Sequence, residues 1–298
     1  MDKLLNILAS LSHLSLEGQI VEKQSFVSGL GGSCDVYKAW STKHNKRVAV
    51  KQIRAFLTKE PSFAKKLARE IRIWSELEHE NVLPLLGYFT EGDKAMPSLV
   101  SEWMKRGTLY DFMKSFPRGG FETYIILRDI ASGLAYLHSK QVIHADLKTA
   151  NILISATKTP LLADFGLSLA LSHSRSTMGT TTTSAKGTVR WMAIELFPSI
   201  SGDEPFKHDE KSDMWAFGMI IYELLSWEFP YENKRNDALV TITIMNGEVP
   251  EKPVPPSGHE PSIFDPLWTV ASSCWAHRNS RPTAREVTNY ITNGILAG

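Results

Sequence analysis

The sequence predicts an α+β chain in two parts, a small antiparallel sheet with one main helix and then a larger, mainly helical part. Three observations carry this. Residues 20 to 103 hold β-favouring runs interrupted by a single helical pattern. From about residue 107 onward apolar residues recur at helical spacing. With 298 residues, 43% of them apolar, the chain is long enough for two packed parts.

The opening stretch "MDKLLNILASLSHLSLEGQ" sets Leu4, Ile7, Leu8 and Leu11 at helical spacing, which predicts an N-terminal helical extension over 1–19 packed on the body of the protein. Asn6, Ser10, Ser12 and His13 break its apolar run and no small-residue cleavage site follows, so it does not read as a signal peptide. The sheet part is expected over 20–103. There "FVSGLGGSCDVYKAW" and "RVAVKQI" read as strands joined by the polar turn "STKHNK", and "VLPLLGYF" and "SLVSEW" as two more. The helical pattern between them, "SFAKKLAREIRIWSEL", places Phe63, Leu67, Ile71, Trp74 and Leu77 on one face.

The helical part is expected over 104–298. "TYIILRDIASGLAYLHS" gives Ile126, Leu127, Ile130, Leu134 and Leu137 a shared side, and "MWAFGMIIYELLSW" is apolar nearly all round, the mark of a helix buried in a core. "ALVTITIMNG", "IFDPLWTVASSCW" and "TAREVTNYITNGI" follow as helices, the last with Thr283 as N-cap. The Pro-rich "VPEKPVPPSGHEP" reads as an ordered loop.

Composition narrows the function. A formal net charge of +1 gives no electrostatic reason to expect nucleic acid or an anionic membrane as partner. Two cysteines, Cys34 and Cys274, make neither a disulfide framework nor a C-x-x-C metal site, which points to a reducing compartment such as the cytoplasm. No segment reaches the roughly 18 apolar residues that a membrane span needs.

Chemistry gathers in four places. "GLGGSCDV" offers glycines whose backbone could approach phosphate oxygens, though taken alone it reads better as a simple hairpin turn. A strand follows it, as a dinucleotide-binding turn would not allow, and no Gly-Lys-Ser/Thr closes it. "VAVK" ends an alternating strand on Lys51, which needs an anion if it points inward, and Glu70 in "LAREIRIW" is its natural partner. "HADLKTAN" and "LLADFGLS" then bring Asp146, Lys148, Asn151 and Asp164 into one short span. Phosphoryl transfer needs a positioned base, a cation for the moving phosphate and oxygen ligands for magnesium, and these four supply all three. A metal site on His138 and His144 is the rival, with no third ligand at a suitable spacing.

In order along the chain, "GLGGSCDV", "VAVK", Glu70, "HADLKTAN", "DFG", "GTVRWMAIE", "KSDMWAFG" and "CW" with "RPT" resemble the eukaryotic protein-kinase family over residues 20 to 293. The resemblance implies a bilobal protein-kinase-like fold, with a sheet N-lobe and a helical C-lobe, and ATP and Mg2+ as cofactors. It implies that Gly29, Gly31 and Gly32 cover the phosphates and that Lys51, paired with Glu70, holds the α- and β-phosphates. Val36, Ala49 and Leu153 would sandwich adenine, with Ser101 as a small gatekeeper and the backbone of Glu102 and Met104 meeting the base. Asp146 would accept or orient the substrate hydroxyl's proton, Lys148 steady the γ-phosphate, and Asn151 and Asp164 hold metal. Within the family the sequence is most similar to the tyrosine-kinase-like group of serine/threonine kinases, since "DLKTAN" carries Lys148 and Thr188 stands to bond Asp146 and Lys148. Dual specificity stays open. By the same resemblance Glu195 and Arg281 form a buried ion pair, Asp213 tethers the catalytic loop, and Trp74, Leu85, His144 and Phe165 stack as core residues.

Three positions depart from the family pattern: Cys34 replaces the third glycine, Ile194 replaces the proline of "APE", and Ala145 replaces an arginine before the acid. That arginine ordinarily needs a phosphate on the activation segment to neutralise it, and alanine removes the need. Residues 171 to 186, "LSHSRSTMGTTTTSAK", are crowded with hydroxyls and invite autophosphorylation through self-association. The expected function is ATP-dependent transfer to serine and threonine of protein substrates, and the alternative is a pseudokinase acting as a nucleotide-binding scaffold. Small-molecule phosphotransferases share the acid-asparagine-acid core but have no reason to carry "GTVRWMAIE" and "KSDMWAFG".

Overall fold

The first helix, α1 (Asp2–Ser10), turns Leu4 and Leu8 into the protein and packs against α2 (Phe63–Ser75), whose Phe63, Leu67, Ile71 and Trp74 are all buried. The computed structural model of the chain describes residues 2–25, 29–30, 34–53, 63–90, 96–165, 188–198, 205–257, 259 and 261–294. The chain up to Met104 makes one unit, and Lys105–Phe165 with the described residues from 188 onward makes a second.

The first unit is an antiparallel sheet of β1 (Ile20–Val21), β2 (Gly29–Leu30), β3 (Cys34–Ser41), β4 (Lys46–Ile53), β5 (Gly87–Thr90) and β6 (Pro97–Glu102). Its order is β1-β3-β4-β6-β5, with β2 paired to the start of β3. Side chains alternate across a strand, so directly opposed residues share a face. The registers Ala39↔Val48 and Val50↔Val100 therefore collect Ala39, Val48, Val50 and Val100 on one face, where Phe89 and Leu16 complete a buried cluster. Leu16 comes from the strap after α1, held where its N–H donates to the Tyr88 carbonyl at 2.8 Å. The strap lies so close to Gly87 that a Cβ there would collide with the Leu14 carbonyl oxygen.

Two sequence expectations are trimmed. The helical pattern runs to Leu77, but α2 stops at Ser75 and the chain tightens, with Glu76 and Leu77 bonding back three residues to Ile73 and Trp74. Leu77 stays buried. In "VLPLLGYF" regular pairing begins only at Gly87, downstream of Pro84, which has no N–H to donate to a ladder.

The second unit contains α3 (Leu109–Phe112), α4 (Phe121–Ser139), the short hairpin β7 (Ile152–Ile154) and β8 (Pro160–Leu162), α5 (Glu210–Ser226), α6 (Asp237–Met245), α7 (Pro261–Cys274) and α8 (Ala284–Gly294). As its composition predicts, α5 is buried nearly all round, and α4 and α7 pack against it. Its N-terminus is closed by an Asp209–Ser212 capping box. Thr283 closes α8 as the sequence predicts: its hydroxyl accepts the Glu286 N–H at 3.2 Å and Glu286 answers to the Thr283 N–H at 2.7 Å. The Arg281 guanidinium meets Glu195 in a two-pronged buried pair, at 2.6 and 2.8 Å. The architecture is the expected one, an antiparallel sheet unit and a helical unit. No helix among the described residues is long and apolar enough to cross a membrane.

Candidate active site

In the sheet unit, register does the gathering. Val36 is opposed to Lys51, Ala49 to Ser101, and Lys51 to Leu99, so Val36, Ala49, Lys51 and Ser101 share the face opposite the Leu16 cluster. Lys51 is buried, with its ammonium 5.9 Å from the centroid of the Trp74 ring. The Ser101 hydroxyl oxygen is also buried and finds no hydrogen-bond partner among the described residues. A buried hydroxyl with no partner, on the same face as a buried lysine, makes this face polar. Gly29 pairs with Val36 in the β2–β3 hairpin. Gly31 and Gly32 lie outside the described residues, and so do 171–186.

The expected partner of Lys51 is Glu70. Among the described residues no ion pair joins Lys51 to Glu70. Burial raises the Glu70 carboxyl above its ordinary range, and the neighbouring Arg69 charge only partly offsets that.

In the helical unit the loop that carries Asp146 follows α4 and is held from below. Asp213, buried in the first turn of α5, accepts the N–H of His144 at 2.8 Å on one carboxylate oxygen and that of Ala145 at 2.9 Å on the other. His138, in the last turn of α4, stands 2.9 Å from the same carboxylate. Burial pushes the Asp213 carboxyl up, but these bonds and the His138 charge hold it below the ordinary range, so it remains the anion that the backbone N–H groups require. Burial lowers the His144 pKa. Its ring meets Phe165 edge-on at 6.2 Å, so His144 is a neutral core residue and not a base.

The chemical residues cluster above this floor. Lys148 Nζ donates to both oxygens of Asp146, at 3.0 and 3.1 Å, and to the Thr188 hydroxyl at 3.0 Å. Thr188 thus meets Lys148, while no bond joins it directly to Asp146 among the described residues. Asn151 Nδ2 donates to the Asp146 carbonyl at 2.7 Å and to its carboxylate at 2.8 Å, which leaves the Asn151 Oδ1 oxygen for another partner. The Ala163 N–H donates to the Asn151 carbonyl at 3.0 Å, bringing the backbones before Asp164 and at Asn151 side by side. Asp164 itself sits in a left-handed turn at φ 63°. A carboxylate and an amide oxygen on adjoining backbones suit Mg2+, which takes one or two protein oxygens and fills its shell with phosphate and water. Leu153, half-buried in β7, pairs with Leu161 and bridges to Thr108.

Residues 24–290 match the protein kinase domain. The chain is a member of the protein kinase family. The family fixes what the clustered motifs belong to, and similar proteins are serine/threonine-protein kinases by name. Receptor-interacting serine/threonine-protein kinase 3 of Rattus norvegicus is 30% identical over 297 residues, 95% of this chain and 58% of that protein. Serine/threonine-protein kinase PknB of Mycobacterium leprae is 30% identical over 266 residues, 88% of this chain and 41% of that protein. Serine/threonine-protein kinase STY17 of Arabidopsis thaliana is 32% identical over 235 residues, 78% and 38%. The kinase domain thus spans about two to three fifths of these relatives. The likeness to the receptor-interacting kinase is consistent with the tyrosine-kinase-like group.

Sequence reasoning about this kinase domain missed two residues. Glu223 is a buried acid inside the apolar run of α5, and its two oxygens accept from the Thr149 hydroxyl at 2.6 Å and from the Trp191 indole at 2.8 Å. Burial raises its carboxyl to about 7, against the pull of those bonds and of Lys148. An acid in an otherwise apolar helix was the signal available. Arg190, inside "GTVRWMAIE", makes three bonds to backbone carbonyls that no local pattern announces.

Proposed function

We propose that the chain transfers the γ-phosphoryl group of ATP to serine and threonine hydroxyls of proteins. The observation that carries this is Lys148 Nζ, bonded at once to the Asp146 carboxylate and the Thr188 hydroxyl, with Asn151 holding Asp146 from its other side. In this reading Asp146 orients the incoming hydroxyl and takes its proton. Lys148 steadies the transferred phosphate, and Thr188 marks the border of the site on the protein-substrate side. Lys51 holds the α- and β-phosphates on the sheet face that Val36, Ala49 and Ser101 share, with the glycines Gly29, Gly31 and Gly32 and the backbone of Glu102 and Met104 serving the same nucleotide. Asn151 and Asp164 would hold Mg2+, which supplies neutralisation of phosphate charge when bound.

Three further parts belong to the same reading. Cys34 and Cys274 are not joined in a disulfide, which supports a cytoplasmic setting. The hydroxyl-rich segment 171–186 supports autophosphorylation through self-association. The division into an extension over 1–19, an N-lobe over 20–103 and a C-lobe over 104–298 follows the motif order.

The alternative is a scaffold that binds nucleotide without transferring phosphate. A radiolabelled transfer assay with Mg2+ separates the two. The wild type should label a generic protein substrate or itself well above the Asp146→Asn variant; equal signals from both would favour the scaffold.

A further inference from the structure

The segment from Thr188 to Met192 is held on its catalytic side by the Lys148–Thr188 bond and underneath by Glu223, which grips Trp191. Its third hold is Arg190. One terminal nitrogen of the guanidinium donates to the carbonyls of Pro230 and Tyr231, both at 2.7 Å, and the other reaches the Lys234 carbonyl at 3.3 Å. All three carbonyls belong to the turn between α5 and α6, outside any helix. No carboxylate bonds Arg190 among the described residues. A half-buried cation that spends its donors on neutral carbonyls acts through geometry, because the planar fork fixes the direction of each bond.

The turn is itself a rigid anchor. Tyr231 stands in the left-handed region at φ 56°, and its phenol donates to the Glu248 carbonyl at 3.0 Å. The Phe229 ring lies flat on Tyr110 at 4.7 Å and takes the edge of Trp191 at 5.8 Å. Arg190 and Trp191 therefore clasp the same turn by unlike means, one by hydrogen bonds and one by ring packing.

We propose that Arg190 is a positioning residue for the protein substrate: it locks the segment carrying Thr188 onto the α5–α6 turn, and so sets where the acceptor hydroxyl stands relative to Asp146. This rests on the kinase reading above. It places specificity for protein substrates partly in a contact that touches no substrate. Lysine is no substitute, because a single ammonium on a flexible stem cannot span carbonyls from Pro230 to Lys234.

The test compares wild type, Arg190→Met and Arg190→Lys in three measurements: steady-state transfer to a peptide substrate, ATP affinity by titration, and amide hydrogen exchange over 188–192. The Trp191 and Met192 N–H groups are protected by bonds to Thr188 and Val189. We expect the peptide KM to rise about tenfold in both variants, the scale of losing charge-assisted hydrogen bonds, with ATP affinity kept and with faster exchange at Trp191 and Met192. An unchanged KM in an active, folded variant would overturn the clasp alone. Equal losses of peptide use, ATP affinity and melting temperature would reduce Arg190 to general stability and also overturn it. Wild type that transfers no more phosphate than Asp146→Asn would instead bring down the kinase reading, and the positioning role with it.

Discussion

The carboxylate of Asp213 holds the N–H of Ala145 at 2.9 Å while Ala145 stands in the left-handed region at φ 65°. A residue with a Cβ resists that conformation by roughly 1–2 kcal/mol, so the buried acid keeps the backbone turned just before Asp146. Glycine relieves the strain but loosens the unfolded chain, and the two effects nearly cancel. Ala145→Gly should therefore melt within about 1 kcal/mol of wild type, whereas Ala145→Val, β-branched, should lose about 1–3 kcal/mol. Urea unfolding of the two variants checks the difference, and a valine variant as stable as glycine would remove strain from the account.

The Glu223 carboxyl gives a pH signature. Its value is raised from 4.5 to about 7 by burial. Between those values the folded chain keeps a proton that the unfolded chain has lost, so its contribution is complete below about pH 4.5 and lost as pH climbs through 7. The total is about 3 kcal/mol on the scale of one pKa unit per 1.4 kcal/mol. Glu223→Gln cannot titrate, so the stability difference between wild type and variant should slope across pH 5 to 8, wild type losing ground as pH rises. A flat difference would mean that the acid is ionised throughout.

The Glu195–Arg281 pair should be among the most sensitive sites to single truncation. Both side chains are nearly inaccessible and meet in two parallel bonds. Removing one partner leaves the other charge buried and unanswered, a loss of about 3–5 kcal/mol. Glu195→Ala and Arg281→Met should each lower the melting midpoint steeply, while Ile194→Pro beside them changes it little. Calorimetry on the three variants makes the comparison.

The strap after α1 is structural to the sheet. Leu16 is fully buried in the cluster with Val48, Val50 and Val100. Leu16→Ala should cost about 2–5 kcal/mol through lost contacts and a residual cavity. Gly87→Ala should be no milder, since its Cβ would meet the strap's backbone and not a flexible side-chain tip. Both are read by denaturant midpoint, and a midpoint unmoved by Leu16→Ala would mean that the strap adds nothing to the sheet.

How much was legible followed from range. Asp146, Lys148 and Asn151 lie within six residues of one another, so spacing alone brought them together, and the loop indeed bonds them to each other. The face shared by Val36, Ala49, Lys51 and Ser101 was legible at the level of alternation, though the registers that align three strands were not. Glu195–Arg281, 86 residues apart, came only from family resemblance. Helix docking is where the sequence ran out. It lets Glu223 and Arg190 reach partners that no local pattern names.

On the proposed function, Ala145 also bears on control of activity. On the proposed kinase reading, arginine at that position would set a fixed cation beside Asp146, and a phosphate on the activation segment would be needed to balance it. Ala145 instead lines a small cavity with Asp146, Thr188, His208 and Asp213, and it brings no charge. Basal transfer should therefore persist after phosphatase treatment, with initial rates within about twofold of untreated protein, since no cation at 145 waits to be neutralised. Ala145→Arg should make the unphosphorylated enzyme slower and restore a dependence on phosphorylation. If phosphatase abolishes wild-type activity and rephosphorylation of the segment restores it, the control lies elsewhere than at position 145.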